Sequence, residues 1–161
     1  MLIHLKNKDT LIIGEFKLRC CIGKNGLKKL KIEGDKSTPR GIFKIGTFYY
    51  RKDRIIKPHT SLKTKIIKPY MRWCNDPKNK FYNKEIKTTL IRSEKLFRKD
   101  KKYDYLIVIK YNEKRVPYKG SAIFFHLTKN YSPTLGCIAI KKKDFLLLLK
   151  LVNKKTKIKI H

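Results

Sequence analysis

Ser121-Ala122-Ile123-Phe124-Phe125-His126-Leu127 and, one short loop later, Ser132-Pro133-Thr134-Leu135-Gly136-Cys137-Ile138-Ala139-Ile140 are the stretches that decide how this chain folds. In the first, a period of two puts Ala122, Phe124 and His126 on one face of a strand and Ile123, Phe125 and Leu127 on the other. His126 then ends the strand, and Cys137 sits at a neighbouring strand end. A base and a potential thiolate face each other across one loop. Only the thiolate is a strong nucleophile, and an imidazole can take the proton, so the pattern carries the equipment of a cysteine acyl-transferase. Gly136 leaves the approach to the sulfur open and frees backbone N–H groups to meet an oxyanion.

Working outward, Phe16 to Ile22, Gly41 to Tyr50, Tyr105 to Ile109 and Thr156 to Ile160 also read as strands. The fold expected is mainly β. One helix is predicted from an Asp144 N-cap through Phe145-Leu146-Leu147-Leu148-Leu149-Lys150-Leu151-Val152, and a second short one over Ser93 to Arg98. The section from Lys57 to Leu90 is polar and broken by Pro58, Pro69 and Pro77. It also holds Tyr70, Trp73, Phe81 and Tyr82, too many aromatics for a linker, so it reads as ordered loops shaping a binding site.

The 161 residues, 41% of them hydrophobic, suffice for one domain with a real core. The 42 Lys+Arg against 12 Asp+Glu give a formal charge of +30, which favours polyanionic partners without choosing among them. An AT-rich coding bias explains a Lys-, Ile- and Asn-rich chain equally well. No helix-turn-helix, zinc-finger or RNA-recognition signature organises a nucleic-acid site, so nucleic acid is not the expected partner, although a basic polyanion-binding module stands as the different-class alternative. No run is long and apolar enough for a membrane span, and no secretory h-region with a cleavage site is visible at the N-terminus.

Cys20, Cys21 and Cys74 read as packing residues, since their spacing suits neither zinc nor an adjacent bridge. No metal site, phosphate loop or cofactor fingerprint is expected. His4, His59 and His161 show no partners in the sequence.

Four ordered blocks together resemble the L,D-transpeptidase catalytic domain, the YkuD-type family: Glu33-Gly34-Asp35-Lys36-Ser37-Thr38-Pro39-Arg40-Gly41-Ile42-Phe43, Trp73-Cys74-Asn75-Asp76-Pro77 with Tyr82-Asn83, Ser121 to His126, and Thr134-Leu135-Gly136-Cys137. The resemblance implies that residues 1–161 form one such domain, a mixed β-sheet or sandwich with one or two short helices. It implies catalysis by Cys137, His126 and Gly136 without cofactor. The substrate implied is a peptidoglycan stem peptide, cut between a diamino acid and D-Ala through a thioester and passed to an acceptor amine. Hydrolysis by the same fold, as an L,D-carboxypeptidase or cysteine amidase, stays open.

Candidate substrate-binding residues are Thr134, whose hydroxyl can bond loop backbone, Trp73, Asn75, Asp76 and Tyr82 along the donor groove, and Arg40 for a carboxylate. The plain readings stand beside these: Asp76-Pro77 as a turn, Trp73 as a core anchor, Arg40 as solvated. Two departures from the family pattern matter. Leu135 stands where the commonest signature has His, and Leu127 follows His126, so a backbone carbonyl must orient the imidazole. The family implies work in the periplasm or cell envelope by a monomer, with the basic surface associating with the anionic envelope. A cytoplasmic location stays open without a visible leader.

Overall fold

The computed structural model describes residues 1–89 and 91–161. Among the described residues, fourteen strands and one helix follow in order: β1 (Leu2–Lys6), β2 (Thr10–Ile13), β3 (Phe16–Cys21), β4 (Leu27–Lys28), β5 (Thr38–Pro39), β6 (Gly41–Tyr50), β7 (Thr64–Ile66), β8 (Arg72–Cys74), β9 (Glu85–Ile86), β10 (Ser93–Lys95), β11 (Tyr105–Ile109), β12 (Phe124–Leu127), β13 (Ile138–Ile140), α1 (Lys142–Leu151) and β14 (Lys157–Ile160). The largest sheet runs β11-β12-β13-β3-β2-β1-β14-β6-β7, and a further β11–β6 pairing closes it into a barrel-like ring with β7 outside. Closure removes the edges that an open sheet would expose. The chain is therefore mainly β, as its alternating segments indicate.

The alternation also sorts two cores. Phe48 and Tyr50 of β6, Tyr105 and Ile107 of β11, and Phe125 and Leu127 of β12 join Ile3, Leu5, Leu11 and Ile13 in the principal cluster. Their alternates Tyr49, Leu106 and Phe124 face the other way and pack with Met71, Trp73, Leu96 and Tyr103. The second cluster exists because β8, β9 and β10, which form a small sheet of their own, lie over that outer face. The Lys57 to Leu90 section supplies two of these strands; its last residue, Leu90, lies outside the described residues.

Three expectations are corrected. Ser93 to Arg98 forms no helix: Ser93, Glu94 and Lys95 pair antiparallel with Cys74, Trp73 and Arg72. The Ser93 hydroxyl, instead of capping, donates to the Ile91 carbonyl and accepts from Arg72 Nε, both at 2.8 Å. Leu96, fully buried, ties the segment to the second core. Tertiary pairing overrides a weak local preference here. The predicted C-terminal helix is present, but it begins at Lys142, with Asp144 inside the first turn and no side-chain cap. There the carboxylate favours the helix dipole without closing its end. Lastly, His4 and His161 are not partnerless: parallel pairing of β1 with β14 stacks their rings with centroids 5.5 Å apart.

Candidate active site

The parallel pairing of β12 with β13 sets His126 beside Ala139 and Phe125 beside Ile138. By the same register Cys137, one residue before β13, falls level with Phe124 and on the face that carries His126. The Phe124 N–H donates to Cys137 Sγ at 3.4 Å, and the thiol donates to the Ala122 carbonyl at 3.3 Å. Both side chains line a cleft of about 470 Å³, and both are nearly buried at its floor.

The turn that carries the sulfur is fixed from several sides. Thr134 Oγ1 donates to the Cys137 carbonyl at 2.6 Å and accepts the Gly136 N–H at 3.1 Å. Thr38, fully buried, donates its hydroxyl to the Gly136 carbonyl at 2.7 Å and accepts the Gly23 N–H at 2.9 Å. Gly136 has φ +140°, and a Cβ there would stand 3.0 Å from the Ser37 carbonyl oxygen and 3.3 Å from Ile123 Cδ1. The residue must be glycine for both reasons. Its N–H, expected as an oxyanion donor, is instead engaged by Thr134.

Ser37 belongs to a loop that Asp35 holds shut. Burial works against the Asp35 carboxylate, but the Ile32 and Ser37 N–H groups and Lys31 together keep its pKa below the usual range. Lys31 is 4% exposed and lies 2.6 Å from Asp35.

His126 Nδ1 is 2.9 Å from the Leu127 carbonyl oxygen. A carbonyl only accepts, so Nδ1 carries the hydrogen and Nε2 is left as the free base. Burial lowers the imidazole pKa to about 4; the Leu127 bond opposes the shift, while Lys102 and Arg98 add to it. Burial likewise pushes the Cys137 thiol up, the Glu94 charge adds to this, and the Phe124 N–H, Lys31 and Tyr103 work the other way. At rest the pair is therefore neutral thiol and neutral imidazole.

Tyr103 stands at the centre. Its ring meets His126 edge-on with centroids 5.2 Å apart, and its hydroxyl donates to Glu94 Oε1. Glu94 and Glu33 line the same cleft, as does Asn75, whose Oδ1 is buried without a hydrogen-bond partner. These residues were not legible as site residues. Glu94 reads locally as a helix first turn, and Tyr103 has no periodic signal. Glu33 lies within a turn quoted for the family resemblance, which was the one available hint.

Of the expected substrate residues, Thr134 and Asn75 line the cleft with Cys137 and His126. The others do not. Trp73 packs edge-on to Phe124 at 5.2 Å beneath the site and donates its indole N–H to Asn83 Oδ1 at 2.9 Å. Asp76 closes a turn, accepting the Lys78 N–H at 3.0 Å. Tyr82 is buried behind the cleft, donating its hydroxyl to Glu33 and accepting the Gly120 N–H at 2.9 Å. Arg40 is exposed, away from the cleft. Cys20, Cys21 and Cys74 are buried free thiols. Among the described residues no group of three or more His, Cys, Asp or Glu is placed to hold a metal ion.

No curated protein and no solved structure matches the chain. A family model described as the L,D-transpeptidase catalytic domain (YkuD) matches residues 2–160. With essentially its whole length matched, the chain belongs to the L,D-transpeptidase catalytic-domain family, whose substrates are peptidoglycan.

Proposed function

We propose that the protein is a cysteine acyl-transferase that cleaves the bond between a diamino acid and D-Ala in a peptidoglycan tetrapeptide stem and passes the acyl group to an amine, at the cell envelope. The observation that carries the reading is the Cys137 thiol in one cleft with an imidazole whose Nδ1 is tied to a carbonyl and whose Nε2 is free. As sulfur attacks the donor carbonyl carbon, the thiol proton passes to His126 Nε2. The Gly136 N–H is held by Thr134, so the Cys137 N–H is the backbone donor assigned to the resulting oxyanion. The C–N bond breaks, and D-Ala leaves with the proton from His126. The acceptor amine then attacks the thioester, His126 takes a proton from it, and the sulfur is released as thiol.

Thr134 serves by fixing the turn, and Asn75 by contacting the donor. With water as acceptor the same steps give a carboxypeptidase. Intact-mass spectrometry after incubation with a tetrapeptide stem tests the reading: an adduct of the tripeptide acyl mass on Cys137, absent in Cys137→Ala, is expected. Hydrolysis or turnover undiminished in Cys137→Ala refutes it. Supplying an acceptor amine afterwards separates transfer from hydrolysis.

A further inference from the structure

The chain has cations in more than threefold excess over carboxylates. Nevertheless, the two carboxylates that line the cleft, Glu33 and Glu94, make no ion pair among the described residues. Each is held from one side only. Glu33 Oε2 accepts the Tyr82 hydroxyl and the Ser121 hydroxyl, the latter at 2.8 Å. Glu94 Oε1 accepts the Tyr103 hydroxyl. Of the basic residues that line the same cleft, Arg98 binds Asp100 through Nε at 2.9 Å and Nη2 at 2.6 Å, and Lys31 binds Asp35 at 2.6 Å. The third acceptor, Asn75 Oδ1, is buried in the same cleft with no donor at all.

Asn75 Oδ1 is left without a donor and two like charges share the cleft, so a donor-rich cation between them would satisfy the set. Burial and the Glu33 charge push the Glu94 carboxyl up, a cost that such a cation relieves. A primary ammonium presents three N–H donors, one for each acceptor, whereas a neutral amide offers two and no charge.

Resting on the function proposed above, we propose that Glu33, Glu94 and Asn75 form the subsite for the side-chain ammonium of the donor's diamino residue. The reacting carbonyl belongs to that residue, so its amine must lie within one side chain's length of Cys137. Glu94 is linked to the nucleophile's surroundings through Tyr103, which shares the second core with Cys137. Asp76, expected along the donor groove, closes a turn instead and is not part of this set.

The test uses stem tripeptides, which lack the D-Ala leaving group and so bind without turnover, carrying either a free or an acetylated side-chain amine. Calorimetry on the wild-type protein is expected to show the free amine binding about tenfold or more tighter. Glu33→Gln and Glu94→Gln should bring that ratio toward unity. Carbodiimide labelling read by peptide mass spectrometry needs no variant: the free-amine tripeptide should protect Glu33 and Glu94, and the acetylated one should not. Equal binding of the two peptides overturns the subsite. So does unchanged labelling, or a ratio that collapses in Asp76→Asn instead. Cys137 acylation by a tetrapeptide with an acetylated side chain, as fast as by the free amine, overturns this inference alone. No acylation by either tetrapeptide overturns the functional reading itself.

Discussion

The neutral resting state of Cys137 and His126 has a kinetic signature. In a preformed thiolate–imidazolium pair, alkylation is fast and flat from weak acid upward, because the sulfur is already ionised. Here the imidazole pKa lies near 4 rather than 6.5, which makes its protonation in the resting site costlier by about 3 kcal/mol. The thiol is raised as well, mainly by burial and then by Glu94. The alkylation rate of Cys137 should therefore climb about tenfold per pH unit between about pH 6 and pH 9, with no plateau. The assay is iodoacetamide labelling followed on the peptide that contains Cys137, so that Cys20, Cys21 and Cys74 do not contribute. His126→Ala should leave the slope unchanged while abolishing turnover. A plateau below neutrality that disappears in His126→Ala would refute the neutral pair.

Four further outcomes follow from particular contacts. Glu94→Gln removes a charge that raises the Cys137 pKa, so labelling at neutral pH should become faster, read by the same assay. Because the folded His126 pKa is depressed, the unfolded chain binds the extra proton between about pH 6.5 and 4. The contribution to stability is whole above that window and is lost as pH falls through it, by up to about 3 kcal/mol. In urea titrations, wild type should lose this stability as pH falls from about 6.5 to 4, and His126→Gln should not. Gly136→Ala, with φ +140° and a Cβ 3.0 Å from a carbonyl oxygen, should cost about 1–3 kcal/mol and slow acylation. Phe124→Ala, which empties the space between Trp73 and Tyr103 under the nucleophile, should cost about 3–5 kcal/mol in denaturant titration.

Period-two alternation was the strongest signal in the chain, and it was strongest where one strand faces two cores. Tyr105 to Ile109 and Gly41 to Tyr50 form strands with those bounds, and Ser121 to Leu127 shows the expected division of faces even where its first residues lie outside β12. Ile3, Leu5, Leu11 and Ile13 carry the same alternation and build the β1–β2 hairpin that brings β14 into the ring. Ser93 to Lys95 could not be read locally, because its strand state comes from pairing with β8, 19 or more residues away along the chain. The nucleophile and base were legible since both stand at the ends of apolar strands. Glu33, Glu94 and Tyr103 reach the cleft from a turn, a small outer sheet and a loop, and only the tertiary packing of that sheet on the barrel brings them together.

That division between inner barrel and outer sheet also bears on catalysis. A thiol buried under cations would ionise readily if the cations faced it, but Lys31 is bound to Asp35 and Arg98 to Asp100, whereas the charge that acts most strongly on Cys137 is the negative one of Glu94. Separating thiolate from imidazolium in this setting, before substrate arrives, is opposed by both burial and charge. Proton transfer to His126 is then favourable only as the new C–S bond forms and negative charge moves from sulfur to the carbonyl oxygen. A ligand that places a cation against Glu94 removes the local opposition at that moment. The carboxylate thus has two consequences that share one cause: it keeps the free protein's sulfur protonated, and it favours donors whose side chain ends in an ammonium. Glu94→Gln should accordingly make Cys137 more reactive toward iodoacetamide and less selective toward stem peptides. A variant that changes one property without the other would show that the two do not arise from the same charge.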